Sequence, residues 1–180
     1  MSTSYDILII GAGLNGASMA LGAAQFGLRV ALFDSNKIID QLDCEFDGRS
    51  YALSLTSVRM MQALGLWDTL TEHAQPMLDI KVCEGQLPDG PSPFFLHFDH
   101  NEIEEGPMGH MVQDRYLRPT LQAAVDQNDA IDYFADVRIA SHICTSEFAQ
   151  VTTNTGAEYR GQLLIAADGR QSATATREHI

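Results

Sequence analysis

Apolar and polar positions fall into blocks of different period along this chain. An unbroken apolar run, Ile7-Leu8-Ile9-Ile10, meets glycines at positions 11, 13 and 16. An Ala/Leu/Met-rich segment from Leu14 to Phe26 follows, then Gly27 and a second apolar run, Leu28 to Phe33, that ends on Asp34. Short apolar runs bounded by turn residues predict buried strands, and the longer segment between them predicts a helix. The chain therefore opens as strand, tight glycine turn, helix, strand.

The pattern changes beyond Asp34. Ser35 to Asp47 is polar, acidic and without period. From Thr56, Val58, Met61, Leu64 and Leu66 recur at helical spacing up to Gly65, and a second short helix is expected over Trp67 to His73, broken by Pro76. Asp79 to Glu84 alternates like a strand, with Phe94 to Phe98 as its partner. Pro88-Asp89-Gly90-Pro91-Ser92-Pro93 reads as the loop between them, and an acid-rich loop runs from Asp99 to Glu105. This hairpin is expected to leave the nucleotide-binding layer and begin a second sheet. Asp114 is placed as the N-cap of a helix carrying Leu117, Leu121, Ala124 and Val125 on one face, with Pro119 in its first turns. Three strand-like stretches follow, Ile131 to Phe134, Val137 to Ile143 and Phe148 to Thr153. A buried-strand run, Gln162 to Ala167, then lands on Asp168-Gly169.

Composition narrows the class. The chain has 180 residues, 45% of them hydrophobic, and a formal net charge of −13. That charge argues against a nucleic-acid partner and against electrostatic docking on anionic lipid. No run has the length of a transmembrane helix, and the N-terminal apolar run is too short, and lacks the basic leader, for a signal peptide. Cys44, Cys83 and Cys144 are odd in number and widely spaced, which fits a reducing compartment, with no disulfide framework and no metal. The expected location is cytoplasmic.

The glycine motif carries specific chemistry. Gly11 permits the sharp turn out of the strand, Gly13 lets the backbone approach a pyrophosphate, and Gly16 removes a Cβ that would hold the helix off the sheet. The helix N-terminus directs free N–H groups and a positive dipole end at phosphates. Asp34 stands where a carboxylate can accept from ribose hydroxyls. His97, Asp99, His100 and Glu102 cluster without zinc-like spacing and are read as solvated loop residues. No Gly-x-Ser-x-Gly nucleophile elbow is present.

Four separated segments agree: the glycine motif with Asp34, Asp47-Gly48-Arg49-Ser50-Tyr51-Ala52-Leu53-Ser54, Gln113-Asp114-Arg115, and Ala167-Asp168-Gly169-Arg170-Gln171-Ser172. Together they resemble the class A flavoprotein aromatic-ring monooxygenases, and within them the ubiquinone-biosynthesis hydroxylases, over their N-terminal part only. The resemblance implies an α/β fold: a Rossmann-like FAD-binding domain with a parallel sheet and a three-stranded β-meander, in residues 1–75 and 107–180. The hairpin of residues 76–106 would belong to the sheet of a substrate domain. It further implies that Gly11, Ala12, Gly13, Leu14, Asn15 and Gly16 cradle the FAD pyrophosphate and that Asp34 holds the ribose. Arg49 would contact the flavin side, Gln113 the ribityl chain or a phosphate, Val137 the adenine through its backbone, and Asp168 with Gly169 both FAD and NAD(P)H. Taken singly, Arg49 could be an ion-pair partner of Asp47 or Glu45, Gln113 a helix-start residue, Val137 a strand residue and Asp168-Gly169 a turn. Ser172 is followed at the family's arginine spacing by Ala175, and the nearest arginine is Arg177.

The activity so implied is ring hydroxylation of a prenylated phenol on the way to ubiquinone. FAD would be reduced by NAD(P)H and O2 would supply the oxygen, with no catalytic acid or base named in this chain. Such a substrate implies peripheral membrane contact or a complex with other biosynthetic proteins. The 180 residues alone are expected to be a truncated chain without hydroxylase activity. Two rivals stand beside this reading: a non-catalytic nucleotide-binding fragment or scaffold, and an NAD-dependent dehydrogenase, in which Arg49 and Asp168-Gly169 would have no role.

Overall fold

A computed structural model describes residues 4–36, 48–86 and 90–179. The chain divides into two compact units, Met1–Glu45 with Arg115–Ile180, and Phe46–Asp114.

The first unit is built on one six-stranded sheet. Its strands are β1 (Ser4–Ile10), β2 (Val30–Phe33), β8 (Ile131–Phe134), β9 (Ile139–Cys144), β10 (Ala149–Thr153) and β11 (Glu158–Ala166), in the order β8-β2-β1-β11-β10-β9. β1 runs parallel to both β2 and β11, and β2 parallel to β8, whereas β10 is antiparallel to β9 and β11. The apolar runs of β1 and β2 are explained by this central place. Leu8, Ile9 and all four residues of β2 are fully buried, as strands covered on both faces must be.

Helix α1 (Leu14–Gln25) crosses over between β1 and β2 and buries Ala17, Ala20 and Leu21. Tyr5, Leu8, Ile10, Ala31, Phe33, Ala149 and Val151 form a core cluster, joined by the half-buried Phe134, Val137 and Tyr159. Phe33 stacks on Phe134 at 5.1 Å and meets Tyr159 edge-on at 5.0 Å. A three-stranded meander is present as β9-β10-β11, and it continues the parallel sheet through β11. Ile131 to Phe134, read in series with those strands, instead pairs with β2 at the opposite edge. Helix α4 (Asp114–Asp126) begins at the residue expected to cap it and contains Pro119; helix α5 (Ala173–Arg177) follows β11.

The second unit holds a three-stranded antiparallel sheet, β3 (Ser50–Ser54), β7 (Gly109–Gln113) and β4 (Ala74–Pro76), in the order β3-β7-β4. Helices α2 (Leu55–Ala63) and α3 (Trp67–Thr71) supply its buried Val58, Met61 and Leu70. Ser54 caps α2 by accepting from the Ser57 N–H. Pro76 does not simply stop a helix: it closes a short strand whose Ala74 pairs with Val112.

Strands β5 (Asp79–Gln86) and β6 (Gly90–Asp99) form an isolated antiparallel hairpin. Pro91, Ser92 and Pro93, expected in the loop, lie in β6. A strand with a single partner tolerates proline on its open side, and Pro91 faces Gly85 across the ladder. The expected residues Pro88 and Asp89 lie outside the described residues, as do Asp40, Cys44, Glu45 and Asp47 of the acidic stretch.

Candidate functional site

The carboxyl ends of β1, β2 and β11 converge on a cavity of about 700 Å3 within the first unit. In an open α/β sheet this is where ligands bind. Gly11 and Gly13 of the turn after β1 line it, as do Asp34 at the tip of β2, Val137 before β9, and Asp168 with Gly169 after β11.

Gly11 has φ +99°, and a Cβ there would run into the Ala167 carbonyl, so the turn and the end of β11 touch through backbone alone. A Cβ on Gly16 would overlap the Gly11 carbonyl oxygen, and Ala167 Cβ stands 3.4 Å away. The tightest constraint on Gly16 is thus the turn itself, with the sheet-side contact second. Gly13 differs: among the described residues, its own chain neighbours apart, no atom lies within 4 Å of where its Cβ would be. Its missing side chain leaves space that the described residues do not fill.

Gly13 is also the N-cap of α1, with no side-chain cap, and its carbonyl accepts the first helical bond from Ala17. The N–H groups of Leu14, Asn15 and Gly16 therefore begin a helix whose first turn lacks intrahelical acceptors. Ala12 and Gly16 are buried, and Asn15 is exposed.

Two carboxylates stand in the cavity wall. Asp34 is 8% exposed; its Oδ2 accepts from the Ala12 N–H at 2.7 Å and its Oδ1 from the Asn36 N–H at 2.8 Å. Asp168 accepts from Ser172 Oγ at 2.5 Å, Thr174 Oγ1 at 3.0 Å and the Thr174 N–H at 3.2 Å. Burial works to raise the Asp168 pKa, but these donors outweigh it and hold the carboxyl below its ordinary value. Val137 donates its N–H to the Asp34 carbonyl at 2.9 Å.

Arg49 and Gln113 lie in the second unit, at the adjoining ends of β3 and β7, where Ser50 pairs with Gln113. Arg49 meets Asp114 at 3.1 Å and also accepts the Asp114 N–H at its carbonyl. The side-chain oxygen of Gln113 is buried with no hydrogen-bond partner among the described residues. An acceptor in that state suits a hydroxyl or N–H of a bound group.

Sequence reasoning did not single out Asn36, Arg138 and Thr174, which also line the cavity, as does Arg177, the arginine nearest to the family's position after Ser172. A signal for one was available: Ser172 caps α5 through the Ala175 N–H, so the Asp-Gly turn leads directly into a helix start that presents Thr174. Among the described residues no group of three or more His, Cys, Asp or Glu could hold a metal, and no helix is long and apolar enough to cross a membrane.

Residues 4–180 match the family described as FAD binding domain. The chain is 35% identical over 167 residues to ubiquinone hydroxylase UbiL of Rhodospirillum rubrum, covering 93% of this chain and 38% of that protein. It is 32% identical over 179 residues to ubiquinone hydroxylase UbiM of Neisseria meningitidis, covering 97% and 38%. A crystal structure of a PqsL variant from Pseudomonas aeruginosa shares the fold with a TM-score of 0.77 at 20% identity, over 98% of this chain and 46% of that one. The chain thus spans 38% of the length of both hydroxylases.

Proposed function

This chain belongs to the FAD binding domain family, and we propose that its cavity receives the adenosine diphosphate half of FAD. The carrying observation is Gly13, whose absent Cβ leaves open space beside the uncapped N-terminus of α1. A pyrophosphate there meets backbone N–H donors and the positive end of the helix dipole. Gly11 to Gly16 cradle it, and Asp34 accepts from the ribose, since each carboxylate oxygen has a second lone-pair site beyond the backbone N–H it already receives. Val137 lies by the adenine through its backbone, and Asp168 with Gly169 closes the far wall. Gln113 takes the ribityl chain or a phosphate on its unpartnered oxygen, and Arg49 contacts the flavin side.

When bound, FAD supplies the redox chemistry by which O2 is activated. This chain's residues bind and orient the cofactor; none is assigned as an acid or base. For the whole protein we propose an FAD-dependent monooxygenase that uses NAD(P)H to hydroxylate the aromatic ring of a prenylated phenol in ubiquinone biosynthesis; its similarity to two ubiquinone hydroxylases supports the pathway. The hairpin of residues 76–106 then belongs to the sheet that binds substrate. Peripheral membrane contact, or a complex with other biosynthetic proteins, follows from so apolar a substrate.

Gly13→Val tests the cavity assignment. The branched side chain should fill the space left for the pyrophosphate and abolish measurable FAD or ADP binding, while far-UV circular dichroism stays as in the wild type. A variant that binds as the wild type does refutes the assignment.

A further inference from the structure

The tip of β2 ties together three segments that wall the cavity. The Phe33 carbonyl accepts from the Gly11 N–H at 2.7 Å. One residue on, Asp34 uses all its polar groups. Its N–H donates to the Phe134 carbonyl and its own carbonyl accepts from the Val137 N–H, both at 2.9 Å. Its two carboxylate oxygens accept from the Ala12 and Asn36 N–H groups at 2.7 and 2.8 Å. Asn36 in turn accepts the N–H of Asp136, a residue at φ +58°. One residue thereby joins the glycine turn, the segment after β2 and the turn between β8 and β9.

The Ala12 bond is the telling one. Ala12 stands between Gly11 and Gly13, where the backbone is least constrained by side chains. A buried carboxylate receiving its N–H makes a charge-assisted bond. An acid that served only a ribose would have no reason to be drawn back onto the turn.

We propose that Asp34 is a positioning residue for the glycine turn: through the Ala12 N–H its carboxylate sets the shape that receives phosphate, independently of any ribose. This rests on the assignment of the cavity to the adenosine diphosphate half of FAD. The two claims separate when the ligand's ribose hydroxyls are removed.

The experiment titrates the 180-residue chain, as wild type, Asp34→Ala and Asp34→Asn, with ADP and with 2′,3′-dideoxy-ADP by calorimetry. It also measures amide hydrogen exchange at Ala12 without ligand. Asp34→Ala should weaken the dideoxy nucleotide about tenfold to a hundredfold for the loss of a hydrogen bond to a charged group, and ADP by more, because ADP also loses its ribose contact. Asp34→Asn, whose amide oxygen can still accept from Ala12, should recover most of the loss for the dideoxy nucleotide. Exchange at Ala12 should be slow in the wild type and Asp34→Asn and fast in Asp34→Ala.

If the dideoxy nucleotide binds Asp34→Ala as tightly as the wild type, the proposal is overturned, while the cavity keeps its ligand. Unchanged exchange at Ala12 in that variant also overturns it. A wild type that binds neither nucleotide refutes the cavity assignment and the proposal together. Should Asp34→Ala fail to fold, the wild type decides: an Ala12 amide that exchanges as fast as an open loop contradicts the proposed bond.

Discussion

Strands β1 and β6 are both rich in large apolar residues, and they meet opposite environments. In β1, Leu8 and Ile9 are wholly buried, whereas in β6 Phe94 is 86% and Leu96 65% exposed. The difference lies in their neighbours. β1 has a strand on each side, with α1 and the aromatic cluster around Phe33 nearby. Among the described residues β6 has β5 alone, and a two-stranded hairpin has little stability of its own in water. An apolar run therefore states that a strand needs cover, and topology decides where the cover comes from. The first unit meets that need within itself; among the described residues the hairpin leaves Phe94, Phe95, Leu96 and Phe98 open.

Substitutions that exploit this contrast should differ widely in effect. Gly11→Val should do most damage, about 4 kcal/mol, because it combines strain at positive φ with overlap against the Ala167 backbone. Leu8→Ala should cost about 3 kcal/mol by opening a cavity beneath the sheet. Phe94→Ala, though it removes a larger side chain, should change stability by no more than about 0.5 kcal/mol. Urea unfolding of the three variants measures all of these, and a Phe94→Ala effect as large as that of Leu8→Ala would erase the contrast.

The smallest effect is one of pH. Asp168 is held below its ordinary 3.8, so the carboxylate contributes stability that is present above about pH 4 and lost as pH falls through its lower folded value. Asp168→Asn should flatten the acid limb of thermal stability below pH 4. Asp99 in the hairpin is also held low, chiefly by the Asn101 N–H, but it is open to solvent, and Asp99→Asn should leave that limb nearly unchanged.

Much of the first unit was legible because its signals are local. The run from Ile7 to Ile10, the spaced glycines and the segment from Leu14 each state their conformation within a few residues. Ser50–Ser54, Ala74–Pro76 and Gly109–Gln113 were not read as strands, since each is short, partly polar, and paired only across long loops. Pro91 and Pro93 read as a loop because proline forbids a ladder bond, and that rule relaxes in a strand with one partner. Ile131 to Phe134 reads as a strand from its residues, yet its place beside β2 is set by a pairing that no local pattern records. The same holds for the site: the spacing from Gly16 points to Asp34, but only the fold places its carboxylate on the Ala12 N–H.

The central claim is that the glycine turn and its neighbours, and not the apolar hairpin, receive the nucleotide. A titration of isotope-labelled chain with ADP, followed by backbone amide NMR, tests it residue by residue. The account predicts saturable shifts at Gly11 to Gly16, Asp34, Val137, Asp168 and Gly169, with Phe94 to Phe98 unmoved. Shifts concentrated in the hairpin, or a glycine turn unchanged at saturating ADP, would contradict it.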